Sequence, residues 1–353
     1  MMDTCPDIVY LRILHIPGTP AENNEILRYF LDKVVNSFIA GKPADAARYA
    51  GTLSHAMEDW GCPAHVVPND NMFTLFKQFL PPPPEQAFTL LHSPIENGTF
   101  TVNLDRYKPR LLGTTVNEAA FNMLRRTQDA TRHARAQTIP IIQAIYAGNT
   151  NAANAAQQIV AEHDAQLIAD TLYTACCLSQ KRFEDAQTLN RIDLSLWSPQ
   201  EAPDLYMPQS VFFGKPHWGH ATLGVTMNNK VAVPLQLNVL EHGKPVMKTF
   251  VSGIGTGTRS VLTYEIPSDV YTRFTALAGL HAALGKNGKV LFEISGNGRR
   301  LALLGPITGD MPAQQIDVSL EGINRIQLTV TSAGGDGTGN YAIWADPKLC
   351  KKR

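Results

Sequence analysis

Glycine is distributed unevenly along this 353-residue chain, and no other feature constrains the fold as strongly. Residues 1–190 contain seven of the 26 glycines, whereas residues 191–353 contain nineteen. Glycine is disfavoured inside helices and is a common residue of the tight turns that join strands. The chain is therefore predicted to be multidomain, with an all-α N-terminal domain followed by an all-β C-terminal domain.

Hydrophobic periodicity predicts the same division. In the first part, apolar residues recur every three or four positions, as on one face of a helix. The predicted helices cover residues 22–40, 44–60, 117–146 and 151–183. Gly41 lies just past the first of them, where glycine often caps a helix end.

The second part reads as strands that alternate apolar and polar residues. The predicted strands include residues 231–240, 290–294 and 325–330. Ser-Gly-Asn-Gly at residues 295–298, between two apolar runs, predicts a hairpin turn. Many short strands joined by glycine turns are typical of a β-sandwich. Pro199 and Pro203 indicate a linker, so the predicted order is a helical domain at 1–190, a linker at 191–204 and a sandwich at 205–353.

Composition excludes several classes of protein. Lys and Arg number 31 and Asp and Glu number 31, which argues against DNA binding through a globally basic surface. No apolar run approaches the ~20 residues that a membrane span needs, so no transmembrane segment is predicted. The opening residues, MMDTCPDIVYLRIL, show no signal peptide pattern. The five cysteines form no C-x-x-C zinc or redox motif.

Three candidate metal ligands fall within one eleven-residue window. His55 and Asp59 are four residues apart near the end of a predicted helix, so they share one face. Gly61 and Pro63 then end the helix, and the following turn returns His65 toward the same point. One His-x-x-x-Asp pair alone would fit an ion pair or a helix cap equally well.

A second pair with the same spacing follows at His92 and Glu96. Imidazole and carboxylate groups are ligands that zinc accepts. Two such pairs with a third histidine close by favour a metal site over an isolated ion pair. The spacing does not give the number of metal ions.

The run GTLSHAMEDWGCPAHV, residues 51–66, resembles the core motif of the zinc-dependent phospholipases C. The superfamily of those enzymes includes the fungal single-strand-specific zinc nucleases. Its motif is a helix that carries a histidine, an aspartate four residues later, and a histidine six residues beyond the aspartate. His92 and Glu96 match the phospholipase form of the downstream pair, which is His-x-x-x-Asp in the nucleases. The resemblance covers about residues 10–185.

This resemblance implies an all-α fold that binds three zinc ions in a cleft. By position, it implies one zinc held by His65, His92 and Glu96. It also implies that His55 and Asp59 share a second zinc, with Asp59 bridging to a third. A further histidine belongs to the second site, and His15 is the candidate; the alternative is that His15 is a core residue within Ile-Leu-His-Ile.

Other family residues are not found in this sequence. The family has an N-terminal tryptophan, then a histidine and an aspartate, ahead of the position of His15. Asp3 and Asp7 are candidates to replace the aspartate. Either these residues and an export signal lie upstream of Met1, or the metal site is degraded. The resemblance implies an extracellular or periplasmic location.

The C-terminal part resembles a different family, the carbohydrate-binding module called NPCBM. The matching segments are residues 250–264, 274–280, 288–294 and 335–349. The resemblance implies a jelly-roll-like sandwich with a glycan ligand. Asn340 and Tyr341 occupy the places of the usual Asp-His pair. Trp344 is expected in the core, whereas Trp218 fits a core or a loop position equally well; no sugar-binding residue is assigned.

These observations predict a bacterial, secreted zinc-dependent phosphodiester hydrolase with an appended carbohydrate-binding module. The expected substrate is a phosphate ester, and phospholipid is favoured over single-stranded nucleic acid by Glu96 and the zero net charge. The alternative is a non-catalytic zinc protein that binds a glycan or a cell surface. No catalytic residue is assigned.

Overall fold

The computed structural model describes residues 25–65, 95–96, 98–184, 186–196, 221–228, 231–267, 269–335 and 337–351. The chain divides into two compact units, Met1–Thr188 and Leu189–Arg353. The described part of the first unit is helical, and that of the second unit is built mainly from strands. This is the multidomain α-then-β layout that the distribution of glycine predicts.

Four α-helices account for most of the described residues of the first unit. They are α1 (Glu25–Ile39), α2 (Pro43–Gly61), α3 (Val116–Tyr146) and α4 (Thr150–Gln180). Gly41 caps the end of α1 as predicted, with a φ of 67°. The Gly41 N–H donates a hydrogen bond to the Phe38 carbonyl, and the Lys42 N–H donates to the Ser37 carbonyl. Pro43 then starts α2, where a missing N–H costs nothing.

Side chains cap the two long helices. The Thr115 hydroxyl accepts from the backbone N–H of Glu118 at the start of α3, and the Asn149 carbonyl accepts from Ala152 at the start of α4. The helices enclose one apolar core, whose fully buried members include Leu27, Phe30, Leu31, Leu53, Met57, Ala119 and Met123. A shared core makes the four helices one cooperative unit.

Thirteen strands are described. They are β1 (Arg191–Asp193), β2 (Thr222–Leu223), β3 (Val225–Asn228), β4 (Val231–Glu241), β5 (Lys244–Phe250), β6 (Gly253–Thr256), β7 (Ser260–Glu265), β8 (Tyr271–Leu280), β9 (Lys289–Gly296), β10 (Arg299–Thr308), β11 (Gln314–Ser319), β12 (Arg325–Ser332) and β13 (Ala342–Lys351). One sheet has the order β11-β8-β13-β6-β2, with β1 also paired to β13. A second has the order β10-β9-β12-β7, and a third the order β3-β4-β5. The strand pairs among the described residues are all antiparallel.

The two larger sheets pack face to face. Trp344 of β13 is fully buried, and its ring meets Phe292 of β9 edge-on at a centroid distance of 4.9 Å. Trp344 is thus a core residue, as expected from the sequence. The predicted turn at 295–298 joins β9 to β10, with positive φ at Asn297 and Gly298. Positive φ at both positions is the geometry of a two-residue hairpin.

The segment predicted as a linker, 191–204, begins inside the sandwich. β1 pairs with β13 in register from Arg191 opposite Cys350 to Asp193 opposite Lys348. The Lys348 ammonium also contacts the Asp193 carboxylate at 3.1 Å. Residues 191–196 therefore belong to the second unit, and residues 197–204 lie outside the described residues. Within the described ranges, no helix is long and apolar enough to cross a membrane.

His281 closes a turn that follows β8. Its Nδ1 accepts from the backbone N–H groups of Ala283 and Leu284, at 3.2 and 3.3 Å. The ring proton therefore lies on Nε2, which donates to the Pro234 carbonyl at 3.1 Å. This neutral form is also the one that burial favours, since burial lowers the pKa of His281 below its ordinary value of 6.5.

We predict that acid destabilises the second unit through His281. Between pH 6.5 and the lowered pKa of the folded state, His281 binds a proton in the unfolded chain but not in the folded chain. Stability should fall in that window by up to about 1.4 kcal/mol per pH unit. Urea unfolding of the wild type and His281→Asn above and below pH 6.5 measures this. The exposed His242→Asn is the matched control, and equal pH dependence of all three chains would contradict the prediction.

Candidate functional site

The end of α2 gathers three of the predicted metal ligands. His55 Nε2 lies 3.4 Å from Asp59 Oδ2, which is the one-turn spacing on a single helix face. His65 Nε2 lies 3.7 Å from Asp59 Oδ1. The turn after α2 therefore brings His65 back to the helix, as its spacing predicts.

Glu96 joins this cluster from a distant part of the sequence. Its Oε1 lies 2.5 Å from His65 Nε2, across 31 residues of chain. The position of Glu96 is set by its neighbour Ile95, which is buried and whose carbonyl accepts a 2.6 Å hydrogen bond from Gln157 of α4. The structure thus brings together His55, Asp59, His65 and Glu96. His15 and His92 lie outside the described residues.

The last turn of α2 is fixed by contacts with both long helices. The Thr131 hydroxyl of α3 donates to the Trp60 carbonyl at 2.8 Å. From α4, the buried Asp164 carboxyl packs directly against Gly61. A Cβ atom on Gly61 would lie 1.7 Å from Asp164 Oδ1, so a side chain at this position would require the Asp164 carboxyl to move. Gln157 was not identified from the sequence, because no local pattern links it to the segment that carries Glu96.

Burial changes the acidity of two groups beside this turn. It raises the pKa of Asp164 to about 8, and the nearby Glu58 carboxylate adds to that effect. Burial also raises the pKa of the Cys62 thiol to about 12, against the backbone N–H groups of Ala64 and His65, which lower it. Both groups are therefore uncharged at neutral pH in the folded chain.

The donor set fits a divalent metal such as zinc. Imidazole nitrogens and carboxylate oxygens of His55, Asp59, His65 and Glu96 form a series of neighbouring pairs, each separated by 3.7 Å or less. Nitrogen and oxygen ligands of this type suit zinc. The Glu96 and His55 side chains are 33% and 41% exposed, so solvent reaches the cluster from outside.

The second unit offers no comparable group of ligands at the residues singled out from its sequence. Asn340 is buried, where its carbonyl accepts from the Lys289 N–H at 2.9 Å and its amide donates to Thr258 at 3.1 Å. The Tyr341 hydroxyl donates to Asn228 Oδ1 at 3.5 Å. Asn340 therefore fastens the loop before β13 to its neighbours. Trp218 lies outside the described residues.

Residues 216–350 match the family model described as "NPCBM/NEW2 domain". The C-terminal unit is an NPCBM domain. The match covers 135 of the 165 residues of that unit and lies wholly within it. The phospholipase C resemblance of the helical unit accordingly stays a proposal.

A similar protein matches less than a third of this chain. A Renibacterium salmoninarum protein named "Putative endo-alpha-N-acetylgalactosaminidase" is 29% identical over 103 residues, which are 29% of this chain and 7% of that protein. The chain thus spans a small fraction of that relative's length.

Two solved structures from Clostridium perfringens are also similar. The CBM51-2 and INT domains of ZmpB are 21% identical, with 46% of this chain and 31% of that chain covered and a TM-score of 0.37. The CBM51 of GH95 in complex with methyl-galactose is 21% identical, and the match covers 45% of this chain and 99% of that chain with a TM-score of 0.37.

We predict that Gly61→Ala destabilises the helical unit and that removal of the Asp164 carboxyl reverses the effect. The new methyl group would overlap Asp164, and overpacking of this kind costs about 1–3 kcal/mol. Without that overlap, alanine should gain about 1 kcal/mol over glycine in a helix. Thermal or urea unfolding of Gly61→Ala, Asp164→Ala and the double variant forms the cycle. The prediction fails if Gly61→Ala has the same effect in both backgrounds.

Proposed function

We propose that this chain is a glycan-directed metalloprotein, in which the NPCBM domain binds a carbohydrate and the helical unit binds zinc. The family match over residues 216–350 is the observation that supports carbohydrate binding. A module of this kind raises the effective concentration of its attached domain at a glycan surface. Zinc binding is supported by the convergence of His65 and Glu96.

The sugar contacts are expected on loops of the sandwich rather than in its core. Trp344 is fully buried against Phe292 and cannot stack on a sugar ring. Asn340 is likewise committed to backbone and hydroxyl partners. Carbohydrate binding requires exposed polar or aromatic side chains, which loops present on a rigid scaffold.

We predict that the full chain binds a terminal sugar through its second unit. A panel including methyl-galactose and N-acetylglucosamine is appropriate, because these sugars are named for related CBM51 structures. Hydrogen exchange with and without the sugar locates the contact in the intact chain. New protection should fall within residues 221–351 and not within residues 98–184. Absence of binding across the panel, or protection confined to the helices, would contradict the proposal.

In the helical unit, His65 and Glu96 would hold one zinc together with His92. His55 and Asp59 would contribute to a second, and His15 is a candidate for the same site. When bound, zinc neutralises charge on a phosphoryl group and acidifies a bound water. Asp59 keeps His55 oriented from one side at 3.4 Å and faces His65 on the other at 3.7 Å.

Phosphodiester hydrolysis is the second, finer candidate for this unit. It is favoured by the closeness of the two donor pairs, since Asp59 lies between His55 and His65. Clustered metals stabilise both the attacking and the leaving oxygen of a phosphoryl transfer. The phospholipase form of the His92–Glu96 pair favours a phospholipid-type ester over single-stranded nucleic acid. The rival is a helical unit that keeps a structural zinc alone.

We predict that the purified chain contains zinc and that a His65→Ala/His92→Ala double variant loses it. The double variant removes two of the three ligands proposed for one site, so its zinc content by elemental analysis should fall. His133→Ala is the control, because that half-exposed histidine lies on α3 outside the cluster. Equal zinc in the wild type and the double variant would reject the site.

The same preparations separate the two candidates. If the helical unit is a hydrolase, it should turn over a phosphocholine ester or single-stranded DNA, and chelation of the metal should abolish that turnover. Replacing Asp59 by Asn should then lower turnover by about a hundredfold or more, because small misplacements of reacting groups are costly. Zinc binding without turnover would support the structural alternative.

A further inference from the structure

Cys62 lies among the candidate metal ligands, although it was not predicted as one. Its Sγ, a ring nitrogen of His65 and a carboxylate oxygen of Glu96 all lie within 4.8 Å of one another. Among the described residues, these three form the one group of three or more possible metal donors that lie this close to one another. The donors come from two separate segments, so local sequence alone does not create the cluster.

The turn after α2 directs Cys62 and His65 to the same side. The Cys62 N–H donates to the Asp59 carbonyl at 3.2 Å, and the His65 N–H donates to the Cys62 carbonyl at 3.0 Å. A short turn of this kind places a sulfur and an imidazole nitrogen close together, and both are ligands that zinc accepts.

Two acidic side chains lie close to Cys62. A carboxylate oxygen of Glu96 lies within 4.8 Å of the Cys62 sulfur. Asp164 is buried against Gly61, the residue before Cys62, and its Oδ1 has no hydrogen-bond partner among the described residues. Donors that repel one another when ionised are costly to bring together, and a bound cation offsets that cost.

We propose that Cys62 binds the same metal ion as His65 and Glu96, so that the centre is a cysteine–histidine–glutamate site. This inference rests on the proposed metal-binding function of the helical unit. On binding, the Sγ–H bond breaks, a sulfur–metal bond forms and the proton passes to the solvent. A thiolate ligand selects zinc or cobalt over the hard cations magnesium and calcium.

Cobalt substitution of the full chain tests this proposal directly. Sulfur coordination gives a near-ultraviolet thiolate-to-cobalt charge-transfer band, which imidazole and carboxylate ligands do not give. We expect the band in the wild type and in Cys176→Ser but not in Cys62→Ser. Cys176 is the matched control, because it is an exposed cysteine on α4. Mutation of a residue that hydrogen-bonds to a metal ligand typically lowers metal affinity by about 10–100-fold. Loss of a ligand itself should cost at least as much, so we expect the zinc affinity of Cys62→Ser to fall by that factor or more.

A second measurement needs no substitution and therefore does not depend on the folding of a variant. Bound zinc should protect Cys62 of the wild-type chain from alkylation, whereas Cys176 should react with and without zinc. Metal binding with no charge-transfer band and no protection of Cys62 would overturn the inference while leaving the metal site in place. A wild-type chain that binds no metal would reject both this inference and the proposed zinc site.

Discussion

The close approach of α4 to the end of α2 is the constraint on which the candidate metal centre depends. The Asp164 carboxyl occupies the space that a side chain on residue 61 would need. Glycine at that position lets the last turn of α2 pack against α4. The turn from Cys62 to His65 starts there, so its donors face the same space as Asp59. The same helix positions Glu96, because Gln157 binds the Ile95 carbonyl. One helix thus sets the separation of ligands that are far apart in sequence.

Local patterns predicted the parts of this site that local geometry determines. His55 and Asp59 share a helix face, and the glycine and proline after them require a turn that returns His65. Cys62 was missed because the cysteines were compared only with Cys-x-x-Cys spacing, whereas the spacing present is Cys-x-x-His. Gln157 was missed for a different reason. Its role comes from the packing of α4, which no periodicity in the sequence specifies.

The same division between local and long-range structure holds in the sandwich. The alternating strands and the hairpin turn at Asn297 and Gly298 were predicted, because strand period and turn chemistry are local properties. The start of the linker was predicted incorrectly. β1 is a three-residue strand that exists through pairing with β13 and through the Asp193–Lys348 contact. A segment so short carries no periodic signal, and nearby prolines suggested a linker instead.

The number and softness of the donors also bear on whether the helical unit is catalytic. A zinc with four protein ligands has a closed coordination sphere and is typical of structural sites, whereas a catalytic zinc keeps one position open. If Cys62 joins His65, His92 and Glu96, that zinc has no position left for a substrate. Any hydrolysis would then depend on the His55–Asp59 side of the cluster, where the His55 side chain is 41% exposed. In that case a structural metal beside Cys62 and a catalytic metal beside His55 would be compatible with each other, because only the first set of donors includes a soft sulfur ligand.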